Sequence, residues 1–315
     1  MVSEIKTKMM SKIGYTTSML AREFLLKNKG DRINTISAYA ENFSTGRGTV
    51  QAAISFLTEH HALELESKGH LGSYIINLDY QLLWEIADLG MIMGLLPLPY
   101  SLRYEGLATG LNREFKQADF QYSIAYTRGS EKRINVLQED KYDFVILSKF
   151  AANYYQAELQ NELDLEILMG FGPGSYLSKH VIVFSDPASQ QIESGMKIGL
   201  DPSSADHKIL TELECQDKDV EFVELTYMKI MEHIRNKTID AAVWNYDEIS
   251  ELENINFSDL QNESSLTMNK EISTAVILVN KNSRLIRRIL NKTIDPAEVV
   301  KLQQAVLKRQ LIPEY

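Results

Sequence analysis

Phe43-Ser44-Thr45-Gly46-Arg47-Gly48-Thr49-Val50-Gln51-Ala52-Ala53-Ile54-Ser55-Phe56-Leu57 opens as a polar, glycine-bearing turn and continues as an apolar stripe. Val50, Ile54 and Leu57 recur at helical spacing, so a helix is expected from Arg47 to the neighbourhood of His60 and His61. Upstream, Ile33, Ile36, Tyr39 and Ala40 form a second short stripe. Residues 16–29, with Leu20, Phe24 and Leu25, form a first helix ended by Gly30. Downstream, 63–66 and 74–77 are strand-like runs around a segment, 67–73, that carries two glycines. Helix, helix, turn, helix and hairpin in that order predict a winged helix-turn-helix over residues 1–78.

The charge is divided in the same way. The 315 residues carry a formal −10, which by itself argues against a nucleic-acid ligand. Residues 1–58 nevertheless hold eight basic and four acidic side chains, a net +4 that leaves −14 for the rest. A basic head on an acidic body suits an N-terminal part that meets a polyanion. The start of such a recognition helix enters the major groove, which makes Ser44, Thr45, Arg47, Thr49 and Gln51 candidates for base edges or phosphates. Arg47 leads them, because a guanidinium can grip guanine or a phosphate with two hydrogen bonds. Arg32, and Lys68 and His70 on the hairpin, are the candidates for contacts beside it; the plainer alternative for Arg47 and Lys68 is a solvated surface charge. His60 and His61, at a helix end, are expected to satisfy carbonyls rather than hold a metal.

Residues 32–76 resemble the GntR-type winged helix. Gly46-Arg47-Gly48-Thr49-Val50 stands where that family has an SRTTV-like start of its recognition helix, and Gly69-His70-Leu71-Gly72-Ser73-Tyr74-Ile75 stands where its wing has GxGxFV. Two departures accompany the likeness: Arg32-Ile33-Asn34-Thr35 replaces the usual entry to the second helix, and Gly48 weakens the first turn of the third. The resemblance implies binding to double-stranded operator DNA.

Beyond Leu78 strands alternate with helices, so residues 79–315 are expected to form an α/β domain of two lobes. Strands are expected at 91–98, 120–126 and 142–147, with helices between them, in a parallel sheet with right-handed crossovers. A comparable unit follows a glycine-rich break at 169–175, with strands at 180–184, 197–200, 221–225 and 239–244. Lobe I is placed at about 90–165 and 272–315, and lobe II at about 170–268. If the apolar strand at 273–279 rejoins the first lobe, the chain crosses between lobes twice. The arrangement resembles the type II periplasmic-binding-protein fold, also used as the effector domain of LysR-type regulators. The Pro99-Tyr100-Ser101 and Asp201-Pro202-Ser203-Ser204 turns carry that likeness, since each puts backbone N–H groups and hydroxyls at a helix start that suits an anion. A GntR-like winged helix joined to such a domain resembles the YhfZ family of predicted regulators, which implies transcription control by an unidentified ligand.

Ligands in open α/β sheets bind beyond the carboxyl ends of the strands. That rule selects Tyr100, Ser101 and Arg103 after the first strand, and Ser148 and Lys149 after the third. It also selects Gly174, Ser175 and Tyr176 near the crossover, Ser203 and Ser204 at a helix start, and Trp244 and Asn245 at a strand end. Arg and Lys among hydroxyls fit a small anionic metabolite. Ser203 and Ser204 read equally well as plain helix caps, and Trp244 as core.

No catalytic centre assembles by spacing. His180, His207 and His233 stand singly, no metal is expected, and no cofactor is called for. Cys215, the one cysteine, lies in an acidic stretch that raises its pKa, and the adjacent Asp247 and Glu248 are expected to be solvated. No apolar run is long enough for a membrane span, and 1–17 lacks the apolar core of a signal peptide, so with the lone cysteine a cytoplasmic location is expected. The absence of a catalytic set makes a non-enzyme the expectation, and a winged helix that contacts few bases makes a homodimer the expectation. The alternative is a small-molecule-binding protein or enzyme whose winged helix is a protein-interaction module.

Overall fold

The computed structural model describes residues 9–160, 164–249 and 255–315, which fall into two compact units. One comprises residues 9–91 with 118–121, and the other 92–117 with 122–315. Residues 1–8, read above for a leader, and the parts of the two lobes at 161–163 and 250–254 lie outside the described residues.

The first unit holds α1 (Lys12–Leu25), α2 (Ile36–Asn42), α3 (Arg47–Glu59), the hairpin of β1 (Leu63–Ser67) and β2 (Ser73–Leu78), and α4 (Tyr80–Ile86). Helix α1 starts earlier than its apolar stripe, because the Ser11 hydroxyl accepts from Gly14 N at 3.0 Å and caps it. Helix α2 starts later than Ile33, with Thr35 as its cap. Ile33 instead donates its N–H to Ser73 O at 3.0 Å, and Arg32 forms a bridge to Tyr74, so the chain ahead of α2 runs along β2. Leu20, Phe24, Tyr39, Val50, Leu57, Leu63 and Ile75 are buried together. Each such side chain contributes roughly 1.5–3 kcal/mol of burial. Packing extends this unit past Leu78: Ser18 and Arg22 of α1 donate to Ala87 O at 3.1–3.2 Å, just beyond α4.

The second unit has two five-stranded sheets. The first is built from β3 (Ile92–Leu96), β4 (Tyr122–Tyr126), β5 (Phe144–Ser148), β6 (Leu165–Gly170) and β12 (Ala275–Asn280), in the order β4-β3-β5-β12-β6. The second is built from β7 (His180–Phe184), β8 (Lys197–Leu200), β9 (Glu221–Glu224), β10 (Ala241–Asn245) and β11 (Asn256–Asp259), in the order β11-β7-β10-β8-β9. The chain therefore leaves the first lobe after β6 and returns with β12. Strands β3, β4 and β5 are parallel, as are β8, β9 and β10. The sheets are mixed rather than purely parallel, because β12 runs antiparallel to β5 and β6, and β7 antiparallel to β10 and β11. Each reversed strand is the first one laid down after the chain changes lobe, where no helical crossover from a neighbouring strand dictates its direction.

The helices of this unit are α5 (Leu102–Gln117), α6 (Ser130–Gln138), α7 (Lys149–Glu158), α8 (Ala205–Glu214), α9 (Tyr227–Arg235), α10 (Tyr246–Ile249), α11 (Glu263–Ile272), α12 (Arg284–Thr293) and α13 (Pro296–Leu307). Strand β11 reads Asn-Phe-Ser-Asp, too short and polar for its pattern to announce a strand; pairing with β7 makes it one.

Candidate functional site

In the first unit Arg47 is the first residue of α3, is exposed, and takes part in no ion pair among the described residues. Val50, Ala53 and Leu57 face the core, which turns Arg47 and Gln51, one helical turn apart, to the opposite face. Thr49 and Thr45 are half-buried, and Ser44 is exposed with φ at 49°, in the left-handed region, as the turn before α3 requires. The start of α3 has Gly46 at its cap position and no side-chain cap, leaving its first N–H groups to other acceptors. On the wing Lys68 pairs with Glu66 at 3.2 Å and lies 5.0 Å from the Tyr74 ring centre, while His70 is exposed in the turn between the strands. Arg32 belongs to the wing: a Cβ on Gly72 would lie 2.7 Å from its Nε.

In the second unit the starts of α6 and α8, one from each lobe, meet. Glu131 N donates to Ser203 O at 3.5 Å, and Ala205 N donates to the Ser130 hydroxyl at 3.3 Å. Gly129, the cap position of α6, has φ of 81°, and a Cβ there would lie 3.1 Å from the Ser203 hydroxyl. Beside this junction lies a cleft lined by Tyr100, Tyr104, Arg128, Arg133, Tyr176, His180, Asp201, Ser204, Asp206, His207, Tyr227, Asn245 and Glu248, among others.

Arg133, only 3% exposed, donates to Thr127 O at 2.9 Å and to the Tyr176 hydroxyl at 3.2 Å. Its Nε is buried with no partner, as are Nδ1 of His180 and the hydroxyl of Tyr100. Native interiors satisfy most such atoms, so three orphans around one cleft make it the candidate site of this unit. Arg128 is exposed at the rim.

Burial holds the two histidines of the cleft well below the ordinary imidazole value. His207 accepts from Asp201 N at 3.2 Å through Nδ1 and sits 2.9 Å from Val243 O through Nε2, and burial lowers it to about 4. Burial likewise lowers His180 to about 3, with His207 adding to the shift. The carboxyl groups move the other way. Burial raises Asp206 to about 6 against the pull of the Ser148 hydroxyl, 2.8 Å away, and of Arg133. Glu248 is raised by burial to about 8, though its carboxyl accepts from the Tyr227 hydroxyl at 3.0 Å and Asn245 Nδ2 at 3.4 Å. Asp201 is fully engaged, taking Ser203 N and Oγ on one oxygen, at 2.9 and 2.7 Å, and Tyr227 N on the other at 2.9 Å.

Of the residues named from the sequence, Tyr100, Tyr176, Ser204 and Asn245 come together in the lining. Ser148 lies at its edge, holding Asp206 and capping α7. Trp244 is stacked at 3.9 Å on Tyr227, which lines the cleft. Ser203 stands at the helix junction. The others are outside the lining: Ser101 caps α5, Lys149 pairs with Glu271 at 3.0 Å, and Ser175 bonds Gly172 O and Ala275 N. Arg103 pairs with Asp247 at 3.0 Å and donates to Gly174 O. Asp247 and Glu248 are not solvated, since the first is taken by Arg103 and the second closes the cleft. Arg128 and Arg133 stand outside the expected set, yet they follow β4, where the rule of strand ends applies as much as after β3 and β5. Cys215 is buried and raised to about 11, with burial the main cause and Glu214 a smaller one. Among the described residues no cluster of His, Cys, Asp and Glu could hold a metal ion, and no helix is long and apolar enough to cross a membrane.

Residues 28–75 match a family described as a helix-turn-helix domain, and residues 79–315 match the YhfZ C-terminal domain. The chain is 30% identical over 306 residues to the protein YhfZ of Escherichia coli (strain K12), covering 96% of this chain and 98% of that one. The crystal structure of YhfZ from Shigella flexneri is 29% identical and aligns with a TM-score of 0.60 over 75% of this chain and 97% of its own. The periplasmic aliphatic sulphonate binding protein SsuA from Escherichia coli, at 15% identity, aligns with a TM-score of 0.50 over 70% of this chain and 74% of its own, which is a likeness of fold. A winged helix-turn-helix followed by a two-lobed, binding-protein-like α/β domain, matched along nearly its whole length, places the chain in the YhfZ family.

Proposed function

We propose that the protein is a cytoplasmic, homodimeric transcriptional regulator. Its winged helix-turn-helix binds operator DNA, and its two-lobed domain senses a small anionic metabolite. The observation that carries the ligand half is Arg133, a buried guanidinium with an unpartnered Nε beside two opposed helix starts. Dimerisation suits DNA reading, because one winged helix contacts few bases and two half-sites double the interface. A binding role rather than catalysis is supported by His207, whose ring nitrogens are both engaged and cannot serve Ser204 as a base.

The test has two arms. Fluorescence anisotropy with the DNA upstream of its own gene is expected to show saturable binding that weakens steeply with salt. Thermal unfolding in the presence of carboxylates, phosphates and sulphonates is expected to show a raised midpoint for at least one class, lost in Arg133→Met. If no anionic class raises the midpoint, the anion assignment falls; if the upstream DNA does not bind, the operator assignment falls.

A further inference from the structure

The cleft has a second pole. Glu248 spends one carboxyl oxygen, Oε1, on Tyr227 and Asn245; its Oε2 has no hydrogen-bond partner among the described residues, and no Lys or Arg there lies within ion-pair distance. The other two carboxyl groups differ. Asp201 has both oxygens occupied, and Asp206 is bound by Ser148 under the influence of Arg133. Of the three, Glu248 combines a spare oxygen with no cation among the charges that act on it.

Tyr100 joins the two poles. Its buried hydroxyl has no partner and lies in the field of Arg128 and Arg133 on one hand and of Glu248 and Asp201 on the other. Its ring stands 6.3 Å from that of Tyr227, whose hydroxyl holds the acid. Tyr104, also in the lining, is likewise influenced by both Glu248 and Arg133. An anion alone would answer Arg133 and the helix starts but would leave the spare oxygen of Glu248 without a partner. A ligand with both charges answers each pole.

Resting on the reading of the cleft as an anion site, we infer that its ligand is an α-amino acid. Its carboxylate meets Arg133 and the starts of α6 and α8, and its ammonium meets the free oxygen of Glu248. Burial holds Glu248 up at about 8, and an ammonium beside it draws the proton off and turns the acid into a partner.

The experiment is calorimetric titration of the full chain at neutral pH with the twenty proteinogenic L-amino acids. Each binder is compared with its α-hydroxy acid, which lacks the ammonium, and with its amine, which lacks the carboxylate; sulfate, phosphate and dicarboxylates are titrated alongside. At least one amino acid is expected to bind, with its α-hydroxy acid about tenfold weaker or worse. Glu248→Gln is expected to remove most of that difference, and Glu248→Asp to restore part of it. An α-hydroxy acid that binds as well as its amino acid overturns the inference and leaves the anion reading standing. Binding by amines with no acid of any kind overturns both. Failure of every amino acid overturns the inference, and the inorganic and dicarboxylic anions then decide the anion reading separately.

Discussion

Arg103 in α5 and Asp247 in α10 pair at 3.0 Å, and they belong to different lobes of the two-lobed domain. Their side chains are 15% and 14% exposed, so the bond is largely shielded. Asp247 also accepts from Ser178 N at 2.8 Å, on the segment where the chain first changes lobe. The pair ties a helix of the first sheet to the crossover and to the end of the second sheet's central strand.

Removing one partner leaves the other mostly buried without its opposite charge. Arg103→Met is expected to cost about 2 kcal/mol, since Asp247 keeps the Ser178 N–H but loses its cation and the Gly174 carbonyl loses the guanidinium. The check is urea unfolding in a double-mutant cycle with Asp247→Asn. A coupling energy near zero would show that the pair contributes nothing.

Helices α5 and α13 cross closely at Gly110, where a Cβ would lie 2.8 Å from Val299 O and 2.9 Å from Val299 Cα. Helix propensity favours alanine over glycine by about 1 kcal/mol, while overpacking a core costs about 1–3 kcal/mol. Backbone cannot move aside as a flexible side chain can. Gly110→Ala is therefore expected to lower the melting temperature, and a raised one would mean that the helices separate at little cost.

The buried acids predict how stability changes with pH. Glu248 titrates near 8 in the folded chain and near its ordinary 4.5 in the unfolded one. Between those values the folded state holds a proton the unfolded state has lost, so stability falls as pH rises through the window. Asp206, at about 6, acts the same way from its ordinary 3.8 upward, but His180 and His207, lowered to about 3 and 4, oppose both up to 6.5. From pH 6.5 to 8 Glu248 stands alone among these four. The unfolding free energy is expected to fall there by up to about 1.4 kcal/mol per pH unit, and Glu248→Gln to flatten the slope. A wild-type slope of zero in that interval, by denaturant titration, would refute it.

Arg47 and Lys68 are expected to differ in their effect on DNA binding. Lys68 is held by Glu66 and Tyr74, whereas Arg47 is unpaired among the described residues at the uncapped start of α3. Arg47→Ala is expected to weaken operator binding by about 1–3 kcal/mol, and Lys68→Ala by less, with a smaller change in salt slope. Anisotropy titrations at several salt concentrations measure both. A larger loss from Lys68→Ala would move the principal contact from the helix to the wing.

Much of the fold was legible because its elements are locally patterned. Ser130–Gln138, His180–Phe184 and Lys197–Leu200 end where their apolar runs and turn residues place them. The strand Leu165–Gly170 and the helices Lys149–Glu158 and Glu263–Ile272 were not, since mixed runs such as Lys-Phe-Ala-Ala-Asn-Tyr-Tyr carry no decisive period. The cleft was legible in part. Tyr100, Tyr176, Ser204 and Asn245 follow from the rule of strand ends, but Glu248 looks like a solvated surface acid until Tyr227 and Asn245 are placed against it.

The order of elements, the basic head on an acidic body and the resemblance to the YhfZ family reside in the chain itself, because each is a property of neighbouring residues or of their spacing. The direction of β7 and β12, the meeting of α6 with α8, and the division of work between Arg103, which braces the lobes, and Arg133, which faces the cleft, reside in contacts between residues far apart in the sequence. Two arginines after successive strands are chemically alike. Which of them finds a carboxylate and which keeps a buried nitrogen without a partner is settled by what the second lobe brings to each: Asp247 within 3.0 Å of one, and a cleft beside the other.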